Sequence, residues 1–269
     1  MNTTTIFRNL HRQPGQPLVL ANIWDAGSAR LVESLGAKAI ATTSAGVAWS
    51  LGYPDGNQLP FDKLAHVVRG IVDAVRVPVT IDVEGGYADD PSAVVERLKP
   101  VIHAGIAGIN IEDGADAPSV LARKIEALKQ STASVGLDLF VNVRTDVYLR
   151  NLSPDEEKVS ETLRRATIYR LAGADGLFVP GIVDARQIRE VASGTELPLN
   201  VMSFPGLPGL PELASFDVRR LSAGSAIFQV LWQHLAQLVQ RFHTEGDSRV
   251  FASDSMGYGQ LQALFGARL

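Results

Sequence analysis

Residues 91–113, PSAVVERLKPVIHAGIAGINIED, contain one complete unit of the predicted fold. The amphipathic stretch Pro91–His103 predicts a helix, and Gly105 suits the left-handed residue that ends many helices. The short apolar run Gly108–Ile111 then predicts a buried strand. A strand that follows a helix in this way is typical of a parallel sheet, because parallel strands need a crossover connection.

The same unit recurs along the chain. Leu35-Gly36-Ala37 and Ala172-Gly173-Ala174 repeat the glycine join between a helix and an apolar run. The predicted strands are Leu18–Asn22, Lys38–Thr42, Pro78–Asp82, Gly108–Ile111, Leu139–Val143, Gly176–Val179, Leu197–Met202 and Val218–Ser222. The predicted helices are Ala26–Leu35, Phe61–Val75, Pro91–His103, Pro118–Thr132, Pro154–Leu171, Asp184–Ala192 and Ser225–His243. Eight strands in 269 residues favour a (β/α)8 barrel, which typically needs about 250 residues, over an open doubly wound sheet.

The chain ends in a segment beyond the eighth helix. Residues 1–269 are predicted to form a single barrel domain, with 245–269 as a C-terminal extension that contains a short helix. Leu261, Leu264 and Phe265 give this helix an apolar face. That face is expected to pack either on a neighbouring subunit or on its own barrel.

Composition excludes several classes of function. The net charge is −4 with no block of Lys or Arg, so no nucleic-acid or membrane-surface partner is expected. The absence of cysteine excludes disulfides, thiolate metal sites and a cysteine nucleophile. The N terminus lacks the apolar core of a signal peptide, and no apolar run approaches the roughly 18 residues of a membrane span. A soluble, cytoplasmic protein is therefore expected.

Acidic and polar residues follow neighbouring predicted strands. Asp82 and Glu84 follow the third strand, Glu112 the fourth and Arg144 the fifth. In a β/α barrel these strand ends meet at the face that holds active sites. Acidic oxygens suit a hard cation such as Mg2+, and an arginine can hold a substrate carboxylate with two hydrogen bonds. The backbone of Ser44-Ala45-Gly46, a polar turn after the second strand, is a candidate for binding an oxyanion.

Structural roles are the alternative for several acids. Asp89 or Asp90, just before Pro91, is expected to cap the following helix. Asp113 is a candidate turn residue, and Asp146 is a candidate salt-bridge partner of the arginine two positions before it. The acids at consecutive strand ends are harder to explain as caps.

The strand-end segments resemble those of the isocitrate lyase / phosphoenolpyruvate mutase superfamily. The matching segments are ATTSAGVAWSLGYPDG (41–56), TIDVEGGYAD (80–89), AGINIEDG (107–114) and FVNVRTDVYL (140–149), in the family's order and approximate spacing. The resemblance covers nearly the whole predicted barrel. It implies a β/α barrel that often exchanges its eighth helix between subunits, and hence a homo-oligomer, either a dimer or a tetramer.

The resemblance also implies roles for single residues. Asp82 matches the acid that contacts Mg2+ directly, and Glu84 occupies a second acidic position where the family usually has Asp. Asp55 and Glu112 match acids that hold metal-bound waters, and Arg144 matches the arginine that contacts the substrate carboxylate or the developing enolate. The implied metal site thus comprises Asp82, Glu84, Glu112 and Asp55, and the implied catalytic residues are Arg144, Glu112 and Asp55. The segment that binds the oxo-carboxylate end comprises Thr43, Ser44, Ala45 and Gly46.

Several family features are absent from this chain. The lyase branch carries a cysteine loop after the strand-4 acids, and this chain has no cysteine. The mutase branch has a lysine-containing loop there, whereas Lys124 lies in a helical pattern and is expected to be solvated. Ser225 stands where the decarboxylase branch has a histidine, and residues 177–181 lack the mutase histidine. Tyr53 and Tyr87 are candidate proton donors in their place, with packing roles as the alternative.

The favoured hypothesis is a Mg2+-dependent carbon–carbon lyase or decarboxylase that acts on a small 2-oxo or 2-hydroxy carboxylic acid through an enolate. Mn2+ is an alternative cation. The other hypotheses are a phosphonopyruvate-type C–P hydrolase or mutase, and a non-catalytic protein that binds 2-oxo acids. Trp24 and Arg144 are expected to line the substrate pocket, and Asn200 to bind a distal substrate carboxylate or to form a turn.

Overall fold

Parallel strands close into a barrel in the computed structural model, which describes residues 2–251 and 255–266. The strands are β1 (Leu18–Leu20), β2 (Asn22–Ile23), β3 (Ile40–Thr42), β4 (Val79–Asp82), β5 (Gly108–Glu112), β6 (Phe140–Arg144), β7 (Gly176–Val179), β8 (Leu199–Met202) and β9 (Val218–Ser222). β1 pairs with β9 and β2 pairs with β3. Because Ala21 alone separates β1 from β2, these two strands together form the first member of an eight-membered ring. The predicted (β/α)8 barrel is confirmed.

Helices alternate with these strands and surround them. They are α1 (Thr3–Leu10), α2 (Ala26–Ser34), α3 (Ser44–Ser50), α4 (Phe61–Ala74), α5 (Pro91–His103), α6 (Pro118–Ser134), α7 (Lys158–Leu171), α8 (Ala185–Gly194), α9 (Leu210–Ser215), α10 (Ala226–Glu245) and α11 (Tyr258–Gly266). Short 3-10 helices cover Asp155–Glu157 and Ser248–Phe251. The first of these begins the segment predicted as one helix over Pro154–Leu171. The patterns used above did not predict α1, α3 or α9.

The segment Ser44-Ala45-Gly46 corrects one prediction, because it forms the first turn of α3 and is not an irregular turn. Close packing explains the difference. A Cβ atom at Gly46 would lie 2.7 Å from Cγ2 of Thr43 and 3.3 Å from Cβ of Trp24. The small residues that looked like a loop in the sequence therefore let a helix lie directly against the barrel.

The helix–strand unit of residues 91–113 folds as its sequence predicts. Asp90 caps α5, and its side chain accepts hydrogen bonds from the backbone N–H groups of Ser92 and Ala93. Gly105 follows the helix with a φ of 98°, in the region that favours glycine. The equivalent glycines, Gly36 and Gly173, also have positive φ angles, of 92° and 103°.

Apolar side chains form a layer between the strands and the helices, where Ile81, Ile109 and Leu177 are buried. A smaller cluster fills the bottom of the barrel, at the N-terminal ends of the strands. There α1 closes the barrel, and the ring of Phe7 packs edge-on against Phe140 with 5.2 Å between ring centroids. Burial of this apolar surface supplies the main driving force for folding.

The middle of the barrel is polar. The Asn142 side chain donates hydrogen bonds to Oδ1 of Asn110 (2.9 Å) and to Oδ1 of Asn200 (3.1 Å). It passes over Gly176 on β7, where a Cβ atom would lie 2.6 Å from Oδ1 of Asn142. Arg220 is also fully buried there and donates to Asn110 and to Ser222. These contacts join β5, β6, β8 and β9 through their side chains.

The two C-terminal helices differ in their packing. Phe228, in the first turn of α10, is buried, but large apolar side chains along the rest of that helix are exposed. They are Ile227, Val230, Leu231, Trp232, Leu235, Leu238, Val239 and Phe242. By contrast, α11 lies against α2 of the same chain, where Arg30 donates a 2.7 Å hydrogen bond to the carbonyl oxygen of Leu264. Within the described residues, no helix combines the length and the apolar character that a membrane crossing requires.

Candidate active site

A cavity of about 250 Å³ opens at the carboxyl ends of the strands. Its lining residues come from every strand end of the ring and from the connection after α3: Asn22, Thr42, Thr43, Ser44, Ala45, Asp55, Asp82, Asn110, Arg144, Leu149, Phe178, Met202, Phe204, Ser222, Gly224 and Ser225. A larger hollow of about 430 Å³ lies at the opposite end, beside α1. Of the predicted site residues, Asp55, Asp82 and Arg144 line the smaller cavity, whereas Glu84 and Glu112 do not. The cavity lies at the end of the barrel where β/α-barrel enzymes have their active sites.

Asp82 at the end of β4 forms part of the cavity floor. Its Oδ1 accepts a hydrogen bond from the backbone N–H of Glu84 at 3.0 Å, and its Oδ2 is 3.5 Å from Nδ2 of Asn110. Burial raises the pKa of Asp82, the positive charge of Arg144 opposes that change, and the carboxylate of Asp55 adds to it. Asp82 is thus a buried carboxylate with few donors on its oxygens, and it faces the same cavity as the exposed Asp55.

Arg144 at the end of β6 is held by two carboxylates. Its guanidinium lies 2.6 Å from Glu112 and makes two hydrogen bonds to Asp146, at 2.7 and 3.1 Å. Burial opposes its charge, but these carboxylates outweigh that effect and raise the pKa of Arg144 above its ordinary value. Burial raises the pKa of Glu112 to about 8 even though Arg144 lowers it. The predicted pairing of Asp146 with Arg144 is confirmed.

A second buried carboxylate, Asp113, fixes the position of this arginine. Its Oδ2 accepts hydrogen bonds from Thr145 (2.8 Å), Arg165 (2.8 Å) and the Tyr169 hydroxyl (2.6 Å). Its Oδ1 accepts from the backbone N–H of Asp146 at 2.9 Å. Asp113 is therefore the centre of a hydrogen-bond network that ties α7 to the strand end carrying Arg144, which is more than the turn role considered from the sequence.

Glu84 is buried, with both carboxylate oxygens engaged by the protein. The Tyr87 hydroxyl donates to Oε1 at 2.8 Å, and the backbone N–H of Asn57 donates to Oε2. Glu84 does not line the cavity, and it joins the loop after β4 to the connection that carries Asp55. Lys124 supports the same loop, because its buried Nζ donates a 2.8 Å hydrogen bond to the carbonyl of Gly85. The prediction that Lys124 is solvated was therefore wrong.

The segment predicted to bind an oxyanion reaches the cavity in part. Thr43, Ser44 and Ala45 line it, while Gly46 is packed behind them against Trp24 and Phe228. No side chain caps the start of α3, so the first backbone N–H groups of this helix are not taken by a capping residue.

Two predicted substrate residues lie away from the cavity. Asn200 is buried inside the barrel, where its amide donates to Ser222 and to backbone carbonyls. Trp24 packs edge-on against Phe228 with 4.9 Å between ring centroids, and it is not among the lining residues. Tyr53 lies outside the cavity, and Tyr87 points its hydroxyl at Glu84.

Sequence reasoning did not assign the apolar part of the cavity wall. Phe178 is the last residue but one of β7, Met202 ends β8, and Phe204 and Leu149 follow strand ends. Their positions after apolar runs were visible, but apolar residues there carry no chemical signature. Ser225, noted above as a substitution for histidine, also lines the cavity.

Comparisons with known proteins identify the family. The family model described as phosphoenolpyruvate phosphomutase matches residues 7–243. The chain belongs to the phosphoenolpyruvate phosphomutase family. A crystal structure of a candidate phosphonomutase from Burkholderia cenocepacia J2315 is 42% identical, with a TM-score of 0.84, over 88% of this chain and 99% of that one. An uncharacterized protein of Mycobacterium tuberculosis (strain ATCC 25618 / H37Rv) is 34% identical over 96% of this chain and 95% of its own.

An oxaloacetate decarboxylase from Rhodopseudomonas palustris (strain TIE-1) is 27% identical over 91% of this chain and 79% of its own. Proteins similar to this member of the phosphoenolpyruvate phosphomutase family therefore differ in the reactions that their names state. The family assignment shows a β/α-barrel enzyme superfamily that includes lyases and mutases, and it leaves the reaction to be argued from the cavity.

The cavity of this family member offers oxygen ligands and hydroxyl groups. No cysteine, histidine or lysine is among its described lining residues. Within residues 2–251 and 255–266, no three His, Cys, Asp or Glu side chains form a cluster that could enclose a metal ion. Asp82 and Asp55, which line one cavity, are a donor set suited to a hard cation that keeps most of its water ligands, as Mg2+ does.

Proposed function

We propose that this protein is a divalent-cation-dependent lyase that cleaves a carbon–carbon bond in a small 2-oxo or 2-hydroxy carboxylic acid. The observation that carries the proposal is the convergence of Asp82, Asp55, Arg144 and the Ser44-Ala45 segment on one small cavity at the carboxyl end of the barrel. Carboxylates, an arginine and uncapped backbone amides are the groups that a metal-assisted reaction of a carboxylic acid requires.

Mg2+, or Mn2+ in its place, fits the charges around the cavity. Burial raises the pKa of Asp82, of Glu84 and of Glu112, so the protein by itself does little to stabilise the charged forms of these carboxylates. A cation held by Asp82, with Asp55 and Glu112 near its water ligands, would stabilise those charged forms. When bound, it supplies positive charge beside the oxygen on which negative charge develops.

The chain's own residues position the acid. Arg144 is held rigidly by Glu112 and Asp146, which suits it to orient a carboxylate with its remaining N–H groups. In this proposal the backbone N–H groups of Ser44 and Ala45, two residues that line the cavity, bind the oxo-carboxylate end. When the carbon–carbon bond breaks, its electron pair moves toward the carbonyl oxygen and forms an enolate. Water then supplies the proton to carbon, since histidine, lysine and cysteine are missing from the described lining residues.

The test is a thermal-shift screen of 2-oxo and 2-hydroxy acids, with and without Mg2+, followed by an assay for pyruvate or CO2 release. We expect Mg2+-dependent stabilisation by at least one acid, lost in Asp82→Asn and in Arg144→Gln. Arg150→Gln is the matched control, because Arg150 contacts the same Asp146, at 2.9 Å, from outside the cavity. If no acid stabilises the protein, or if Arg150→Gln abolishes the effect equally, the proposal is wrong.

Phosphonopyruvate chemistry is the second candidate, because the candidate phosphonomutase from Burkholderia cenocepacia is 42% identical. Phosphonopyruvate belongs in the same panel, with phosphate release as its assay. Stabilisation by an acid with no turnover over hours would instead favour a binding protein that has lost its proton donors.

We also propose a cytoplasmic homo-oligomer in which α10 is covered by another copy of the chain. Eight large apolar side chains along this helix are exposed, and apolar patches of this kind often mark contacts between proteins. Sedimentation of the full chain as a monomer at micromolar concentration would contradict this part of the proposal.

A further inference from the structure

The segment that carries Asp55 is tied to the barrel by a single hydrogen bond. Residues 54–58 form no helix or strand, and all five are exposed. Among the described residues, the one hydrogen bond between this segment and the rest of the chain runs from the backbone N–H of Asn57 to Oε2 of Glu84. Asp55 lies two residues from that bond. The position of Asp55 at the cavity therefore depends on a carboxylate that belongs to another loop.

Glu84 is itself firmly held at the end of β4. Its backbone N–H donates to Oδ1 of Asp82 at 3.0 Å, and its Oε1 accepts a hydrogen bond from the Tyr87 hydroxyl at 2.8 Å. Its carbonyl oxygen accepts from the backbone N–H of Glu112 at 2.9 Å, and the residue is buried. Glu84 thus contacts both the residue that ends β4 and the segment that carries Asp55.

The backbone is left-handed on both sides of this contact. The φ angle is 50° at Glu84 and 58° at Asn57, and Gly56 beside Asn57 has a φ of 93°. A left-handed backbone is uncommon for residues other than glycine, and it persists where surrounding contacts fix it. The hydrogen bonds of Glu84 are contacts of this kind, so the two loops hold each other in place.

The length of the Glu84 side chain allows it to reach two donors. Aspartate would withdraw the carboxylate by roughly 1.5 Å, the length of one carbon–carbon bond, and could not reach both Tyr87 and Asn57. Glutamine keeps the reach of glutamate without its charge. Its Oε1 can accept from the Asn57 N–H, and its Nε2 can donate to the Tyr87 hydroxyl, which accepts as well as donates. The two substitutions therefore separate reach from charge.

We propose that Glu84 is a positioning residue, which holds Asp55 at the cavity through the backbone of Asn57 and does not itself contact the cation. This inference rests on the proposed function, in which Asp82 binds the cation and Asp55 lies near its water ligands. It replaces the metal-binding role that the resemblance implies for Glu84. Both carboxylate oxygens of Glu84 are engaged within the protein, and the residue does not line the cavity.

The first experiment measures the contact without a metal, by hydrogen–deuterium exchange of the Asn57 amide. Exchange should be at least about tenfold faster in Glu84→Asp than in the unmodified chain, because a hydrogen bond to a charged group contributes that much to an equilibrium. Glu84→Gln should stay within about threefold of the unmodified chain, because it keeps the hydrogen bond. Glu126→Asp, at an exposed position on α6, is the matched control and should change nothing.

The second experiment measures Mg2+ affinity by calorimetry of the full chain. Glu84→Asp should weaken binding by about tenfold or more, the usual loss when a residue that supports a metal ligand is changed. Glu84→Gln should lose less than Glu84→Asp, although it removes a charge. In an Asp55→Asn background, Glu84→Asp should change the affinity by less than about twofold, since the residue that it positions is already lost. General damage to the structure would weaken binding equally in both backgrounds, and circular dichroism controls for folding.

The outcomes separate this inference from the proposed function. Three results would each show that the inference is wrong and leave the proposed function standing: equal exchange of Asn57 in Glu84→Asp and the unmodified chain, weaker Mg2+ binding by Glu84→Gln than by Glu84→Asp, or an undiminished effect of Glu84→Asp in the Asp55→Asn background. If the unmodified chain binds no Mg2+, both are wrong.

Discussion

Two buried carboxylates at neighbouring strand ends, Asp113 and Asp82, differ in the number of hydrogen bonds that the protein donates to them. Asp113, beyond β5, accepts four hydrogen bonds of 2.6–2.9 Å, one of them from a charged guanidinium. Asp82, at the end of β4, accepts one backbone hydrogen bond of 3.0 Å and lies 3.5 Å from a side-chain amide. Burial raises the pKa of Asp82, which means that the protein does little to stabilise its charge.

The difference shows how to distinguish a structural acid from a functional one. A carboxylate whose oxygens are fully used by the protein contributes to stability and has no capacity left for a ligand. A buried carboxylate with unused acceptor capacity destabilises the fold unless something else binds to it. The sequence places both residues in acidic strand ends, and the number of donors around each separates them.

The largest expected effect on stability comes from replacing Asp113, the carboxylate whose oxygens accept four hydrogen bonds from the protein. Asp113→Asn removes the charge that pairs with buried Arg165 and leaves donors around a neutral amide. We expect a loss of about 3 kcal/mol in the free energy of unfolding, measured with urea, because the buried Arg165 loses one of its two carboxylate partners and keeps Glu161 alone. Asp116→Asn, at an exposed position, should change stability little. Equal effects of the two substitutions would refute the structural role of Asp113.

A single hydrogen bond of the same network should have a smaller effect. Tyr169→Phe removes the 2.6 Å hydrogen bond to Asp113 and should lower the free energy of unfolding by about 1.5–3 kcal/mol, the range for bonds to charged groups. Tyr148→Phe is the matched control, since the buried Tyr148 hydroxyl has no hydrogen-bond partner among the described residues. The expectation fails if the two tyrosine variants unfold at the same urea concentration.

His11, at the opposite end of the barrel, is another buried titratable group whose charged form the fold disfavours. Burial lowers its pKa to about 3, and the positive charge of Arg220 adds to that effect. The unfolded chain binds this proton near pH 6.5 and the folded chain does not, so stability falls as the pH drops from about 6.5 toward 3. The slope from this group should be about 1.4 kcal/mol per pH unit, and His11→Gln should remove it. Parallel stability–pH curves for the two proteins would show that His11 contributes nothing.

The smallest expected change in stability comes from replacing Asp82, the carboxylate that accepts few hydrogen bonds from the protein. Asp82→Asn replaces a carboxylate whose burial is costly by a neutral amide of the same shape, so its free energy of unfolding should stay within about 1 kcal/mol or rise. The same variant should lose all stabilisation by Mg2+. A loss of stability as large as that of Asp113→Asn would mean that Asp82 also has a structural role, which would contradict the distinction drawn between the two carboxylates.

Much of the fold could be predicted because its signals are local. The helix that ends at Gly105 and the strand that follows it are specified by residues within a short stretch, and the same pattern recurs around the barrel. Three helices, α1, α3 and α9, were not predicted. The first turn of α3 consists of small residues, and at Gly46 a Cβ atom would lie too close to Thr43 and Trp24, a tertiary contact that the sequence does not reveal.

The position of Asp82 and Arg144 at one cavity could be predicted from the sequence, but the residues that hold them there could not. Asp82 and Arg144 were identified because each is a charged residue at the end of an apolar run in the sequence. Arg165 and Tyr169 lie 52 and 56 residues from Asp113, in the middle of a helix, and no local pattern connects them. Arg220 is likewise hidden, since two adjacent arginines on β9 do not reveal which one points into the barrel.

The amide-rich interior of the barrel also bears on how the sheet forms. Asn110, Asn142 and Asn200 meet only when their three strands are aligned as in the native sheet. A slip of one residue in any of these strands would turn an asparagine outward into the aliphatic layer and bring a branched side chain inward. An aliphatic interior would tolerate such an error far better. The asparagines therefore favour the native alignment of the strands, because a misaligned barrel would be less stable.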